Sequence, residues 1–570
     1  MTRAFSALAI ALAGAAAVAG QSAPPFTPVS EEMLLRPSPD DWLMYSRTYD
    51  AQRFSPLDQI TTDNVGQLRE VYRKELPEGP HESIPIVHDG VMYLLLPGNA
   101  LHAIDAATGE LIWEHTRPQG STRAKAISIF EDMVYHSTPE GTILALDART
   151  GAIRWETPSS GRLSAGTVVI EGKVLTGRAC SPRREDCYIS AHDARTGEEV
   201  WRFYTAAASN EPGGETWGGA PDETRAASTW ALPGGYDPVR RLIYWGVANP
   251  TPNTRADRHG GDTNAIPIES PADLYSNSTI ALDPDTGKLA WYYQHLPGDD
   301  WDEDYPNERT LFRTAVRPDP RFVKWINPDI RPGEERDAVA MVGEGGGIFV
   351  LDRTNGQFLW ANPFPFDTPN FLIADIDGPT GRVKLNRDVM FSGPQDRRLI
   401  CYWNTRSYWP TAYHPGLNAL FVPYVEYCLD MTSGGPDGGP RERRQGLPRP
   451  GSDKESWAGL MKIDMETGEM APIHTGRAPG NGAVLTTAGN LVFWGDLAGT
   501  LRAFDAESGE VLWEETLGGP IQNSTITYAV DGRQYLAVFT GVGLVTGGLI
   551  REAGIEPPTG YNALYVFALP

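Results

Sequence analysis

Cysteine is scarce in this sequence. There are four in 570 residues, and none stands in a Cys-x-x-Cys-His arrangement, which excludes a covalently attached c-type haem. Histidine is equally thin: ten scattered residues give no grouping of the kind that activates a serine or cysteine nucleophile, which argues against a hydrolase or lyase. Positive charge is in deficit, with 49 Lys and Arg against 73 Asp and Glu and a formal net charge of −24. That balance disfavours nucleic acid and anionic membranes as partners and favours a cationic protein partner or none. Long apolar runs are missing except at the start. There Arg3 precedes an Ala/Leu/Ile stretch reaching Ala19, and small residues offer cleavage positions near Ala19 and Ala23. Residues 1–23 therefore read as a secretory signal, too short and too alanine-rich for a retained span. No cysteine follows it to carry a lipid. The mature chain, 24–570, is expected as a single domain in the periplasm or secreted, with no membrane span. In that compartment the four cysteines read as two structural bridges. Cys180–Cys187 and Cys401–Cys428 close the shortest loops, with chain-entropy contributions of ~2.5 and ~3.6 kcal/mol.

What the chain has in quantity is one eleven-residue phrase, Ala-x-Asp-x-x-Thr-Gly-x-x-x-Trp. It occurs at Ala103–Trp113, Ala145–Trp155, Ala191–Trp201 and Ala281–Trp291, more loosely at Val350–Trp360 and Ala503–Trp513, and without its tryptophan at Lys462–Pro472. Aspartate can bond its own backbone two residues on and glycine supplies a left-handed corner, so each copy reads as two strands around a turn. A tryptophan at one fixed place per repeat suits a wedge between neighbouring sheets. Turn aspartates Asp105, Asp147 and Asp193 are separated by 42 and 46 residues, and Asp464 and Asp505 by 41. That is one four-stranded blade. The wider gaps between Asp193, Asp283, Asp352 and Asp464 predict blades with large insertions. The fold class expected is all-β: an eight-bladed β-propeller with tryptophan-docking repeats and long loop insertions over one end of its channel. Residues 40–75 read as a lead-in, and 561–570 as a strand that joins the first blade and closes the ring. Loops near 210–230, 249–275 and 295–310 come from consecutive blades and are expected to meet, whereas the Gly/Pro/Arg-rich segment 432–456 reads as a mobile insertion.

With these phrases the chain resembles the quinoprotein alcohol dehydrogenases, which place pyrroloquinoline quinone (PQQ) and a metal ion on an eight-bladed propeller. The stretches "RFSPLDQIT", "SNSTIALDPDTGKLAWYYQHLPGDDWDED" and "NLVFWGDLAGTLRAFDAESGEVLW" carry the likeness. The resemblance implies a carboxylate taking the alcohol proton as hydride leaves the carbinol carbon, and a cation polarising the quinone. In the loop 298–304 it puts the catalytic base at Asp302 and an additional metal-binding carboxylate at Asp304. It also puts a metal-binding amide at Asn249, so that Asn249, Asp302 and Asp304 form the metal set. Oxygen ligands suit Ca²⁺, and one more carboxylate suits a lanthanide ion. The cofactor-binding residues implied are Glu82, Arg123, Thr229 and the stacking Trp230, here one residue closer to the threonine than in methanol dehydrogenase.

Several positions depart from the family pattern. The metal-binding glutamate falls on Pro182, with Glu185 nearby. The vicinal Cys-Cys pair is absent, the basic residue near the quinone oxygens is Glu344, and two cofactor-facing tryptophans are Asn481 and Val545. The altered pocket implies an alcohol larger than methanol, oxidised to an aldehyde or ketone. Without a haem motif, electrons are expected to pass to a separate soluble cytochrome c, which the acidic surface would steer. The competing reading is a non-catalytic propeller scaffold of the outer-membrane-assembly type, which shares the tryptophan phrase but has no use for Asp302, Asp304 or Arg123.

Overall fold

The computed structural model describes residues 26–117, 124–180, 183–401, 405–406, 408–434, 443–543, 546–556 and 562–570. Among them, eight sheets hold at least four strands each, antiparallel throughout except where Phe54–Ser55 joins Leu485–Thr487 in parallel. Seven occupy segments 86–116, 128–158, 167–204, 235–294, 310–362, 412–476 and 485–516. The eighth joins the two ends of the described chain. Ala563–Ala568 lies between Arg69–Glu75 and Arg533–Thr540, so the closing strand pairs with the lead-in and not with the first repeat. Pairing the two ends leaves no open seam for another chain to add to.

The repeated phrase explains how one sheet meets the next. In its first copy Asp105 Oδ1 accepts from the N–H groups of Ala107 and Thr108 and from the Thr108 hydroxyl. The same set recurs at Asp147, Asp283 and Asp464. Across the hairpin each tryptophan faces the small first residue of its own phrase, as in Ala103–Trp113 and Ala191–Trp201, and a bulge follows. The indole is thereby thrown outward onto the next sheet. Trp113, Trp155 and Trp201 donate their ring N–H to the carbonyls of Ala148, Ala194 and Pro284, at 2.9–3.0 Å. Each ring also lies on the turn glycine of the following phrase: Trp113 on Gly151, Trp155 on Gly197, Trp201 on Gly287, Trp291 on Gly356. Where the phrase has lost its tryptophan, Ile473 covers Gly509, and Tyr72 covers Gly109 at the closure. Trp513 meets Phe567 edge-on at 5.5 Å. The result is an all-β propeller.

Gly287 shows why that turn residue is fixed. Its φ is +65°, and a Cβ there would stand 2.4 Å from the Trp201 ring. Gly287→Ala should lower stability by about 2–4 kcal/mol, read as a fall in the urea midpoint. Gly219 has φ +81° with open space around it, so Gly219→Ala should cost only about 1 kcal/mol, the backbone part alone. Equal losses would mean that the indole gives way freely and docking is not tight.

The hub is a buried cluster drawn from separate parts of the chain: Tyr45, Ile84, Ala126, Leu232, Tyr408, Trp409 and Ala483, with Trp230 packed against it. Arg53 pins it, donating to the carbonyls of Tyr45, Val484 and Thr525. The insertions converge as their spacing predicts. Ala226–Ala227 pairs with Pro250–Thr251, Trp217 Nε1 donates to Leu274 O at 2.6 Å, and Arg255 N–H donates to Asp300 at 2.7 Å. The 432–456 segment departs from its expectation. Residues 435–442 lie outside the described residues, but Arg443–Pro448 is a strand paired along its length with Tyr427–Thr432, in a sheet with Arg397–Ile400. Low complexity misled there because a ladder of backbone hydrogen bonds needs no side-chain pattern. The cysteines pair as Cys180–Cys187 and Cys401–Cys428.

Candidate active site

The loop 298–305 is held from below and presents one residue outward. Asp299 is fully buried and turns the backbone around itself, Oδ1 accepting from the N–H groups of Trp301 and Asp302 at 2.8 Å each. Asp300 accepts from Arg255 N–H and Phe391 N–H. Trp301 is buried and donates to Val389 O at 2.9 Å. Between these anchors Asp302 takes a left-handed backbone, φ +68°, which aspartate tolerates better than most residues but at some cost. Its side chain stays 26% exposed, although its neighbours are sealed in.

Three residues singled out in the sequence meet here. The Asn249 amide donates to Asp302 Oδ1 at 2.8 Å, and Asn249 N–H donates to Asp304 Oδ1 at 2.9 Å. Asp304 Oδ2 accepts from the Trp230 indole at 2.8 Å. Asn249 thus bridges the two carboxylates, and Trp230 is tied to the second. Thr229 holds the chain beside it: its N–H donates to Arg178 O, and its hydroxyl accepts from Arg178 N–H at 3.0 Å. Glu82 is paired with Lys125 at 2.9 Å, both buried. The Lys125 ammonium stands 5.1 Å above the Trp230 ring and 4.6 Å from that of Tyr408. Trp230 and Tyr408 meet edge to face at 5.2 Å. Arg123, Pro182 and Val545 lie outside the described residues. Glu185 is ruled out as a ligand by its position, exposed and paired with Arg183 at 3.0 Å.

The electrostatics are those of a crowded, dry acidic pocket. Burial pushes the Asp299 carboxyl up to about 8 and that of Asp300 to about 6. Burial also lifts Asp304 to about 6, opposed by the hydrogen bond from Asn249. Glu303 and Glu344 are driven well above the usual range by burial first, then by the charges of Asp299 and Asp304 respectively. Both Glu303 oxygens are buried without a hydrogen-bond partner. Such a pocket favours either protons or a cation, because an added positive charge reverses the local balance. Among the described residues no three His, Cys, Asp or Glu side chains stand together to hold a metal by themselves. Asp302, Asp304 and Asn249 bring two carboxylates and an amide together, joined by hydrogen bonds.

Sequence reading missed four contributors. Lys125 left a faint signal, a single cation in the apolar run Ala124–Phe130. Tyr408 and the buried Glu303 left none. Arg444, from the low-complexity segment, forms an ion pair with Asp302 and left none either.

Comparison with known proteins places these features in context. The family described as "Glucose/ethanol/alcohol dehydrogenase, beta-propeller domain", of the PQQ type, matches residues 42–129, 156–362 and 455–536. A quinohemoprotein alcohol dehydrogenase, ADH IIB of Pseudomonas putida, is 30% identical over 574 residues, covering 93% of this chain and 77% of the relative. The quinoprotein alcohol dehydrogenase PedH of Pseudomonas putida is 29% identical, covering 90% of this chain and 88% of the relative. Among solved structures, a europium-containing methanol dehydrogenase superposes with TM-score 0.80 at 25% identity, covering 95% of this chain and all of the other.

Proposed function

We propose, from the premise that this chain belongs to the PQQ-dependent alcohol dehydrogenases, that it oxidises an alcohol larger than methanol in the periplasm, with Asp302 as the general base. The observation that carries this reading is the constellation of Asn249, Asp302, Asp304 and Trp230 joined by hydrogen bonds in one place. The eight sheets are read as the eight blades of one ring, supported by the docking of each phrase on the next.

The residues present fit both groups. PQQ is a flat, tricarboxylate ortho-quinone. Trp230 offers an aromatic surface, Lys125 a buried cation beside it, and Glu82 a carboxylate that orients the ammonium. The Gln522 amide and the hydroxyls of Ser83 and Thr405 are buried without protein partners, which suits a polar occupant. Arg123 is proposed as a further contact to the cofactor's carboxylates and Thr229 as the residue that seats Trp230. Asn249, Asp302 and Asp304 would hold Ca²⁺ or a lanthanide ion.

Bound together, PQQ and the ion supply a two-electron acceptor that takes hydride, with one carbonyl polarised by the cation. The protein's part is proton transfer and placement. Asp302, partly open to solvent while its neighbours are sealed, takes the hydroxyl proton of an alcohol. Asn249 sets the plane of that carboxylate, and the buried floor of Trp301 and Asp299 keeps the loop from yielding. Glu344 and Asn481, in place of larger basic and aromatic groups, support a wider pocket and hence a larger alcohol. A separate soluble cytochrome c as acceptor is supported by the charge of −24, which would steer a basic partner. Export behind residues 1–23 is supported by their composition, and no helix among the described residues is long and apolar enough to cross a membrane.

Reconstitution tests the reading. Purified protein loaded with PQQ and either Ca²⁺ or La³⁺ should reduce a redox dye with primary or secondary alcohols of two or more carbons, and methanol should be a poorer substrate. Folded protein that reduces no dye under either metal would put the scaffold reading ahead.

A further inference from the structure

The outer oxygen of Asp302 is held from an unexpected quarter. Asn249 donates to Oδ1 at 2.8 Å, while Oδ2 is paired with Arg444, which arrives on the strand Arg443–Pro448. We propose that Arg444 is a positioning residue for Asp302, holding the second oxygen of the carboxylate that Asn249 holds by the first. The proposal rests on the reading of Asn249, Asp302 and Asp304 as the base and cation site.

Three observations carry it. First, residue 344 cannot supply the charge: it is a buried carboxyl whose N–H is bonded to Asp304 O at 2.9 Å. Second, buried cations near the loop have partners of their own. Lys125 pairs with Glu82, Arg406 with Glu308, and Arg258 with Asp273. Among the described residues, Arg444 is the cation that forms an ion pair with Asp302. Third, the arm is braced to deliver it. Arg444 stands opposite Met431 in a six-residue ladder, Arg397 pairs with Asp430 across the same sheet, and the Cys401–Cys428 bridge clamps the end of Arg397–Ile400 to the central strand. A carboxylate tethered at one oxygen still swings about its terminal torsion. With a planar guanidinium on the second oxygen it is fixed, and proton abstraction needs that fixed geometry. Arg444 and Asp302 are 31% and 26% exposed, so the pair sits at the solvent-facing edge of the loop, above its buried anchors.

The test pairs a catalytic readout with a direct binding one. In the PQQ- and metal-loaded enzyme, Arg444→Ala should lower kcat by about 10- to 100-fold with KM nearly unchanged, the scale seen for partners that orient a site residue. Arg444→Lys should recover a substantial part of the loss, because the charge returns without the planar fork. Terbium luminescence on the PQQ-loaded, metal-free protein should move in the opposite sense. Removing a positive charge beside the ligand set should tighten Tb³⁺ binding by about tenfold, and Arg444→Lys should bind as the wild type does. Arg444→Met, which keeps the apolar stem, should repeat both alanine results and guards against collapse of the arm. Equal losses in Lys and Ala, or unaltered Tb³⁺ affinity in both Ala and Met, would overturn the proposal. A wild type that takes up no Tb³⁺ would overturn the cation reading itself, and the proposal with it.

Discussion

Asp302→Asn should leave the protein folded and able to take up PQQ, and should lower kcat by about 10²- to 10⁴-fold, the range attributed to a positioned general base. The reason lies in how narrowly the loop defines that residue. Asp299, Asp300 and Glu303 are all buried, and Asp299 and Asp300 spend their oxygens on backbone N–H groups. Asp302 alone in the loop combines an acidic side chain with access to solvent. No neighbour in the loop is placed to take over its proton. The substitution preserves volume and keeps an oxygen for Asn249 to donate to, and the ion pair it gives up, with the part-exposed Arg444, lies at the surface, so retained folding and cofactor uptake are expected. Stopped-flow measurement of the first turnover separates a chemical defect from slow product release. An Asp302→Asn enzyme turning over within a few-fold of wild type would remove Asp302 from the chemistry.

Asp304→Ala should act on the metal. Asp304 is buried, its two oxygens are taken by Asn249 N–H and Trp230 Nε1, and burial lifts its pKa to about 6. A carboxyl made uncomfortable by burial gains most from a nearby cation, and a trivalent ion gains more from it than a divalent one. La³⁺-dependent turnover should therefore fall by on the order of 100-fold, with the La³⁺ concentration for half-maximal activity rising and Ca²⁺-dependent turnover falling less. Asp304→Asn separates the charge from the bond to Trp230: it can keep an acceptor for the indole, yet should lose most of the lanthanide response. La³⁺-dependent turnover undiminished by either change would mean that the ion is held elsewhere.

Much of the architecture was legible because it is written locally and repeatedly. The Asp-x-x-Thr-Gly turn closes on its own backbone, the tryptophan needs a small residue opposite and a glycine ahead, and all of these are fixed by spacing within one phrase. Where the phrase ends in Pro472 instead of tryptophan, the next residue, Ile473, covers the following turn glycine Gly509, which no pattern announced. The site was legible in part. Asn249, Asp302, Asp304 and Trp230 could be named from family likeness, and they stand together. Thr229 was expected at the cofactor; in the structure its hydroxyl accepts from Arg178 N–H.

The sequence alone settled the things that depend on neighbours along the chain: the repeat, the hairpins, the scarcity of redox-active cysteine, the acidic loop and the identity of its residues. The tertiary structure decided what depends on distance through space. It brought Lys125 over Trp230, sealed Glu303 and Glu344 into an acidic pocket, and laid a strand from an apparently formless segment across the site so that Arg444 reaches Asp302. Charge pairing is set by burial and by a few ångströms of separation, and neither is encoded in the spacing of residues along a single strand.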